Sequence, residues 1–180
     1  MFIAKKLRQD NVAEYLLYMW QVEDILRAYR LDIDALQQNY LSRFQVDDEQ
    51  RDEMLQWYGQ LAEMMRSEGV QEKGHLQINR NVILLLSDLH NQLLHSTKHP
   101  FYSAAYYKAL PFIVELRGRS KAQEKNEIEN CFDAMYGLML LRLQGKTVSE
   151  ETKTALESIS KLMGMLAEYY KKDKAGKLEL

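Results

Sequence analysis

Glycine and proline are scarce, eight and two among 180 residues, where average usage would supply roughly 22 together. So few turn residues cannot furnish an all-β sandwich or a run of βαβ units. Cysteine is scarcer still. Cys131 stands alone, so it forms no internal disulfide and no cysteine metal cage, which suits a reducing compartment. An excess of one charge is also missing. The 24 Lys and Arg face 26 Asp and Glu, a net of −2, against the basic surplus that phosphate contacts demand. No nucleic-acid partner is expected. Long apolar runs are absent too: the densest, residues 82–94, is broken by Ser87, Asp88, His90, Asn91 and Gln92 and is too short to cross a bilayer. The opening residues turn charged at Lys5 and Lys6 before a leader-like apolar segment forms. The expectation is a cytoplasmic protein with no membrane partner.

What the chain does have is helical periodicity. Hydrophobic residues make up 46%, enough to exclude disorder over most of the length. One domain of this size buries roughly 70% of the surface its unfolded chain exposes. A first helix is predicted over residues 10–29. Val12, Tyr15, Leu16, Met19, Val22 and Leu26 share one side of its wheel, while Leu17, Tyr18, Ile25 and Tyr29 fall elsewhere. A helix apolar around most of its girth is usually buried, so it is placed at the centre of a bundle. A short helix follows from Asp32 or Asp34. Asp47 caps the next, with Gln50 reaching back, and Gly69 stops it. Residues 75–96 form another helix, with 69–74 a loop or an extra turn. Pro100 suits a helical first turn; Phe101, Ala105, Ala109, Phe112 and Leu116 mark one face of that helix, with Tyr107, Leu110 and Val114 outside it. Pro111 interrupts its backbone ladder. Two more helices form a hairpin broken at Gly145 and restarted by the cap Ser149. The fold class is therefore all-α, an irregular bundle of about six or seven helices, in a single domain over residues 1–170 with a frayed, charged tail at 171–180.

Glu23 is the most informative candidate, because it projects from the apolar side of the first helix. A buried carboxylate is costly unless paired. Arg27, four residues on, is the local partner the helix offers, and Arg30 or a polar residue of the 75–96 helix would complete the network. Glu23 and Arg27 are thus read either as a structural pair or as a ligand site. His75, His90, His95 and His99 cluster around one helix, and surface or capping roles suit them best. Glu72 and His75 have the Glu-x-x-His spacing of di-iron bundles, but no second copy occurs and Gly74 disrupts the helix. No metal and no cofactor are expected. Cys131 lies among apolar neighbours without a local base, as an inert thiol does. Tyr102, Tyr106 and Tyr107 offer amphipathic rings of the kind favoured at interfaces, and the methionines 135, 139, 163 and 165 on the hairpin offer an adaptable surface.

The segment Met1-Phe2-Ile3-Ala4, the run from Asn11 through Trp20 to Asp24, and the stretches Gly74-His75-Leu76-Gln77-Ile78-Asn79 and Pro100-Phe101-Tyr102 resemble a family of small helical Bacteroidetes proteins described only as a domain of unknown function. The resemblance implies an all-helical cytoplasmic protein and carries over no activity, ligand or catalytic residue. Two functions lead, ahead of a third, nucleic-acid binding through the lysines of the tail, for which the rest of the chain supplies no matching basic surface. One is a helical interaction or scaffold protein, with a homo-oligomer or another protein as partner. The alternative is a small-ligand binder or enzyme whose pocket lies between the 10–29 helix, the 75–96 helix and the one beginning at Pro100.

Overall fold

The computed structural model describes residues 1–119 and 125–180, and every regular element among them is helical. The α-helices are α1 (Phe2–Asp10), α2 (Val12–Ala28), α3 (Ile33–Asn39), α4 (Asp48–Ser67), α5 (Gln77–His95), α6 (Pro100–Arg119), α7 (Glu127–Leu143) and α8 (Glu150–Lys174), with a 3-10 turn at Leu41–Arg43. The described residues therefore hold eight α-helices rather than six or seven. The added one is α1. It parts from α2 at Asn11, whose side-chain oxygen accepts the amide of Ala13 at 3.0 Å and so offers the backbone an alternative to continuing one helix. No helix among the described residues is long and apolar enough to cross a membrane.

Helix ends follow the local chemistry. Asp32, Asp47, Asn126 and Ser149 each cap a helix by accepting the amide three residues on, at 2.8 to 3.2 Å. Three of the C-terminal ends share one device. After α4, α7 and α8 the chain turns at Gly69, Gly145 and Gly176, with φ of 69°, 69° and 65°. In each case the next amide reaches back five residues, as Val70 does to the Met65 carbonyl at 3.0 Å, and the glycine closes the Schellman turn because it alone enters the left-handed region without a Cβ penalty. The segment 171–180 is not all frayed: α8 runs to Lys174, where its lysines face the negative end of the helix dipole.

The chain divides into two compact units, Met1–Gln9 with Glu14–Asn81, and Asp10–Ala13 with Val82–Leu180. In the first unit, Tyr15, Leu16, Met19, Trp20, Val22 and Leu26 of α2 are buried, together with Leu36, Leu41, Met54, Tyr58, Leu61, Met65 and Leu76. Each such aliphatic side chain stabilises the fold by about 1.5–3 kcal/mol relative to exposure. In the second unit α8 supplies Leu156, Ile159, Leu162, Met163 and Leu166, which are all buried and recur at the expected coiled-coil-like spacing. Two faces differ from the wheel reading. On α6 the buried line is Tyr102, Ala109 and Ile113, while Phe101 stands 82% exposed. On α5, Leu85 is exposed and His90 is buried. Both shifts have one cause, because His90 gives the Tyr102 hydroxyl a partner inside, and a polar-tipped ring then buries without an orphaned group.

Candidate functional site

Glu23 lies within the first unit and is fully buried, at 0% exposure. Its Oε1 accepts the backbone amide of Leu76 at 2.9 Å and the side-chain amide of Asn79 at 2.7 Å. Its Oε2 is 2.6 Å from His75 Nδ1. An ionised carboxylate only accepts, so the carboxylate fixes the His75 tautomer with Nδ1 protonated. The imidazole in turn stacks on Trp20, with ring centroids 4.1 Å apart and planes 13° from parallel.

These bonds explain how α5 begins. Leu76 occupies the cap position: its carbonyl accepts the amides of Asn79 and Arg80 at 2.9 and 3.0 Å. Its own side chain has no oxygen to return. Two remote carboxylates supply what the local sequence omits, Glu23 for the Leu76 amide and Glu68 for the Gln77 amide at 2.6 Å. Both sit at the positive end of the helix dipole, where negative charge is favoured.

Arg27 does something else. Its short ion pair is to Asp24 at 2.9 Å, and its guanidinium also bonds the carbonyls of Val70, at 3.2 Å, and of Gly74. From Glu23 it stands 4.0 Å away, the outer limit of an ion pair. The polar residue of α5 expected to complete the network is Asn79; Arg30 is not among the partners of Glu23. With both oxygens of Glu23 committed to donors, its present geometry is that of a clasp between α2 and the segment entering α5.

Arg27 also lines a cleft of about 480 Å³ in this unit, together with Arg30, Leu31, Arg66, Gln71 and Glu72. Arg66 is held there by Glu63 and by the Leu31 carbonyl at 2.8 Å. The sequence reading did not bring Arg66 into this group, because it lies thirty-five residues from Leu31 and no helical spacing links them. Glu72 and His75 do not act together, since Glu72 faces this cleft and His75 is bound to Glu23. Among the described residues no group of three His, Cys, Asp or Glu is arranged to hold a metal.

The second unit contains the tyrosines. Tyr102 is fully buried, its hydroxyl 2.6 Å from His90 Nδ1, so it presents no surface to a partner. Burial lowers the His90 pKa to about 4 and pushes the Tyr102 hydroxyl and the Cys131 thiol up, the thiol to about 12. Glu127 lies against this group, 3.7 Å from His90 Nε2 and 3.5 Å from the Tyr106 hydroxyl, and its own pKa is raised, chiefly by burial. His90 is thus neither a surface nor a capping histidine. His95 does cap, with Nδ1 2.7 Å from the Asn91 carbonyl, and His99 reaches the Glu179 carbonyl at 2.8 Å. Tyr106 is half-buried. Tyr107 is 66% exposed.

Compared with known proteins, the chain matches one family description, a domain of unknown function (DUF4924), over residues 1–177. No curated protein and no solved structure matches it.

Proposed function

The chain belongs to the DUF4924 family, which brings no activity with it, and from that premise we propose a helical interaction protein that pairs with a second copy of itself through the solvent face of α6. The observation that carries this reading is a row of exposed apolar residues. Tyr107 and Val114 are 66% and 60% exposed, and with Ala104, Pro111 and Gly118, also exposed, they recur in alternating steps of three and four. That is the spacing of a coiled-coil seam. Large apolar side chains aligned on one face are a recognised mark of association.

Charge favours one orientation. Lys108 and Glu115 flank the same edge of the row, seven residues apart and both exposed. In a two-fold antiparallel pair, Lys108 of each copy lies beside Glu115 of the other, so the attraction occurs twice. A parallel pair sets neither beside an opposite charge. Tyr102 takes no part in this reading, and Tyr106 supports it only from behind. A cytoplasmic setting belongs to the same reading and is supported by the lone, buried Cys131.

Native mass spectrometry and light scattering across a concentration series test it. The expected result is a dimer that Tyr107→Glu with Val114→Glu converts to a folded monomer. Lys108→Glu should weaken the dimer, and Glu115→Lys added to it should restore pairing. A wild-type monomer at every concentration overturns the proposal, as does a dimer indifferent to the double substitution.

A further inference from the structure

The end of α2 departs from the other closures in one respect. The Leu31 amide reaches the Leu26 carbonyl at 2.8 Å and the Arg30 amide reaches the Arg27 carbonyl at 2.9 Å, the same Schellman pattern that follows α4, α7 and α8. There the left-handed position is glycine. Here it is Arg30, at φ 53°, and Leu31 follows at φ 59°. An L-residue in that region is uphill of glycine, so the backbone bears a strain that a glycine would relieve. Strain of this kind points to a side chain kept for its own sake.

The side chain so placed lines the 480 Å³ cleft, a volume within the range of small-molecule sites. Its lining includes Arg27, Arg30 and Arg66 together with Glu72, and two of these arginines also carry ion pairs, Arg27 to Asp24 and Arg66 to Glu63. Backbone carbonyls fasten the same two, Arg27 to that of Val70 and Arg66 to that of Leu31. Fastened arginines form a rigid rim with donors to spare. Arg30 has no ion pair among the described residues, and it is the group left to close on a ligand.

We propose that this cleft binds a small phosphate-bearing molecule. Planar guanidinium forks match the paired oxygens of a phosphate group. The Gln71 amide supplies a further donor, and Glu72, which only accepts, suits a hydroxyl on the body of the ligand rather than its anionic head. Leu31 provides the apolar wall. The cleft is built from residues of the first unit alone, and the proposal does not depend on the pairing through α6.

Arg30→Gly is the decisive variant, because glycine is the residue that this turn prefers. The wild-type protein and the variant are titrated calorimetrically with inorganic phosphate and with glucose 6-phosphate, chloride serving as the control at matched ionic strength. Saturable binding of phosphate to the wild type is expected, weakened at least tenfold in Arg30→Gly, while the variant melts no lower than the wild type. Arg30→Lys, which keeps the charge and loses the fork, should fall between them. A tighter fit for glucose 6-phosphate identifies an esterified phosphate and a role for Glu72; equal affinities identify the free ion. Absence of saturable heat with either probe overturns the proposal, as does undiminished binding by Arg30→Gly.

Discussion

Removing the charge of Glu23 while keeping its shape tests whether the clasp is structural. In Glu23→Gln one oxygen still accepts from the Leu76 amide and from Asn79, the contacts at 2.9 and 2.7 Å. An amide group then faces His75 Nδ1, and the imidazole must change tautomer to accept from it. Hydrogen bonds to a charged group stabilise by about 1.5–3 kcal/mol against about 0.5–1.5 for neutral ones, so three bonds lose roughly 3 kcal/mol. The helix-end attraction lost with the charge adds about 0.5 kcal/mol. Relief from burying a full charge offsets part of this, and a net loss of about 2 kcal/mol is expected. Glu23→Ala is worse, at about 4 kcal/mol, because it strands three donors and leaves a void. Arg27→Met loses its own bonds to Asp24 and to the Val70 and Gly74 carbonyls, but its link to Glu23 spans 4.0 Å, so its cost should add to that of Glu23→Gln with little coupling in the double variant. Urea unfolding followed by circular dichroism measures each variant, with an unchanged m-value as the check on comparability. If the double variant departs from additivity by more than about 1 kcal/mol, or if Glu23→Gln matches the wild type within about 0.5 kcal/mol, the clasp is wrongly assigned.

The remaining expectations are shorter. His90 keeps a folded pKa of about 4 against about 6.5 when unfolded, so the unfolded state takes up its proton first and stability falls as pH drops from 6.5 to 4. That interval corresponds to about 3 kcal/mol, opposed by Glu127, whose raised pKa acts with the reverse sign; melting curves of wild type and His90→Gln across that range should differ in slope, and parallel curves would refute the assignment. Gly69→Ala meets no atom within 4 Å of the added Cβ, so its expected cost of about 1 kcal/mol is backbone conformation alone, whereas Arg30→Gly should gain a similar amount. Differential scanning calorimetry of the two variants would contradict this account if their shifts had the same sign. Tyr102→Phe removes the bond to His90 and should destabilise by about 1–2 kcal/mol, a loss that chemical denaturation would register.

Much of the architecture was legible because the signals are local. Asp47, Ser149, Gly69, Gly145 and Pro100 each act within one helical turn, and the α8 seam repeats within a single element. Glu23 was also legible as a buried carboxylate, since a wheel reports which side a residue faces. Its partners were not, because His75, Leu76 and Asn79 lie more than fifty residues away and only tertiary structure brings them near. The rotation of α6 escaped for a related reason. Periodicity could not weigh Tyr102 against Phe101 without knowing that His90 waits to bond one of them. Arg30 was hidden by a habit of reading, in that helix ends are sought at glycine and this one closes on arginine.

The borrowed cap of α5 carries a consequence for the order in which the chain becomes ordered. Most helices here contain their own start, so their first turns can flicker into place before anything else forms. The first turn of α5 depends on an oxygen from α2, fifty-three residues earlier for the Leu76 amide, and closing so long a loop precedes the reward for doing so. The register of α5 is therefore assigned by docking rather than by its own sequence. Exchange of the Leu76 amide with solvent becomes a gauge of that docking: the proton is shielded only while α2 is seated, and its release marks the opening of the clasp even where the helices themselves persist.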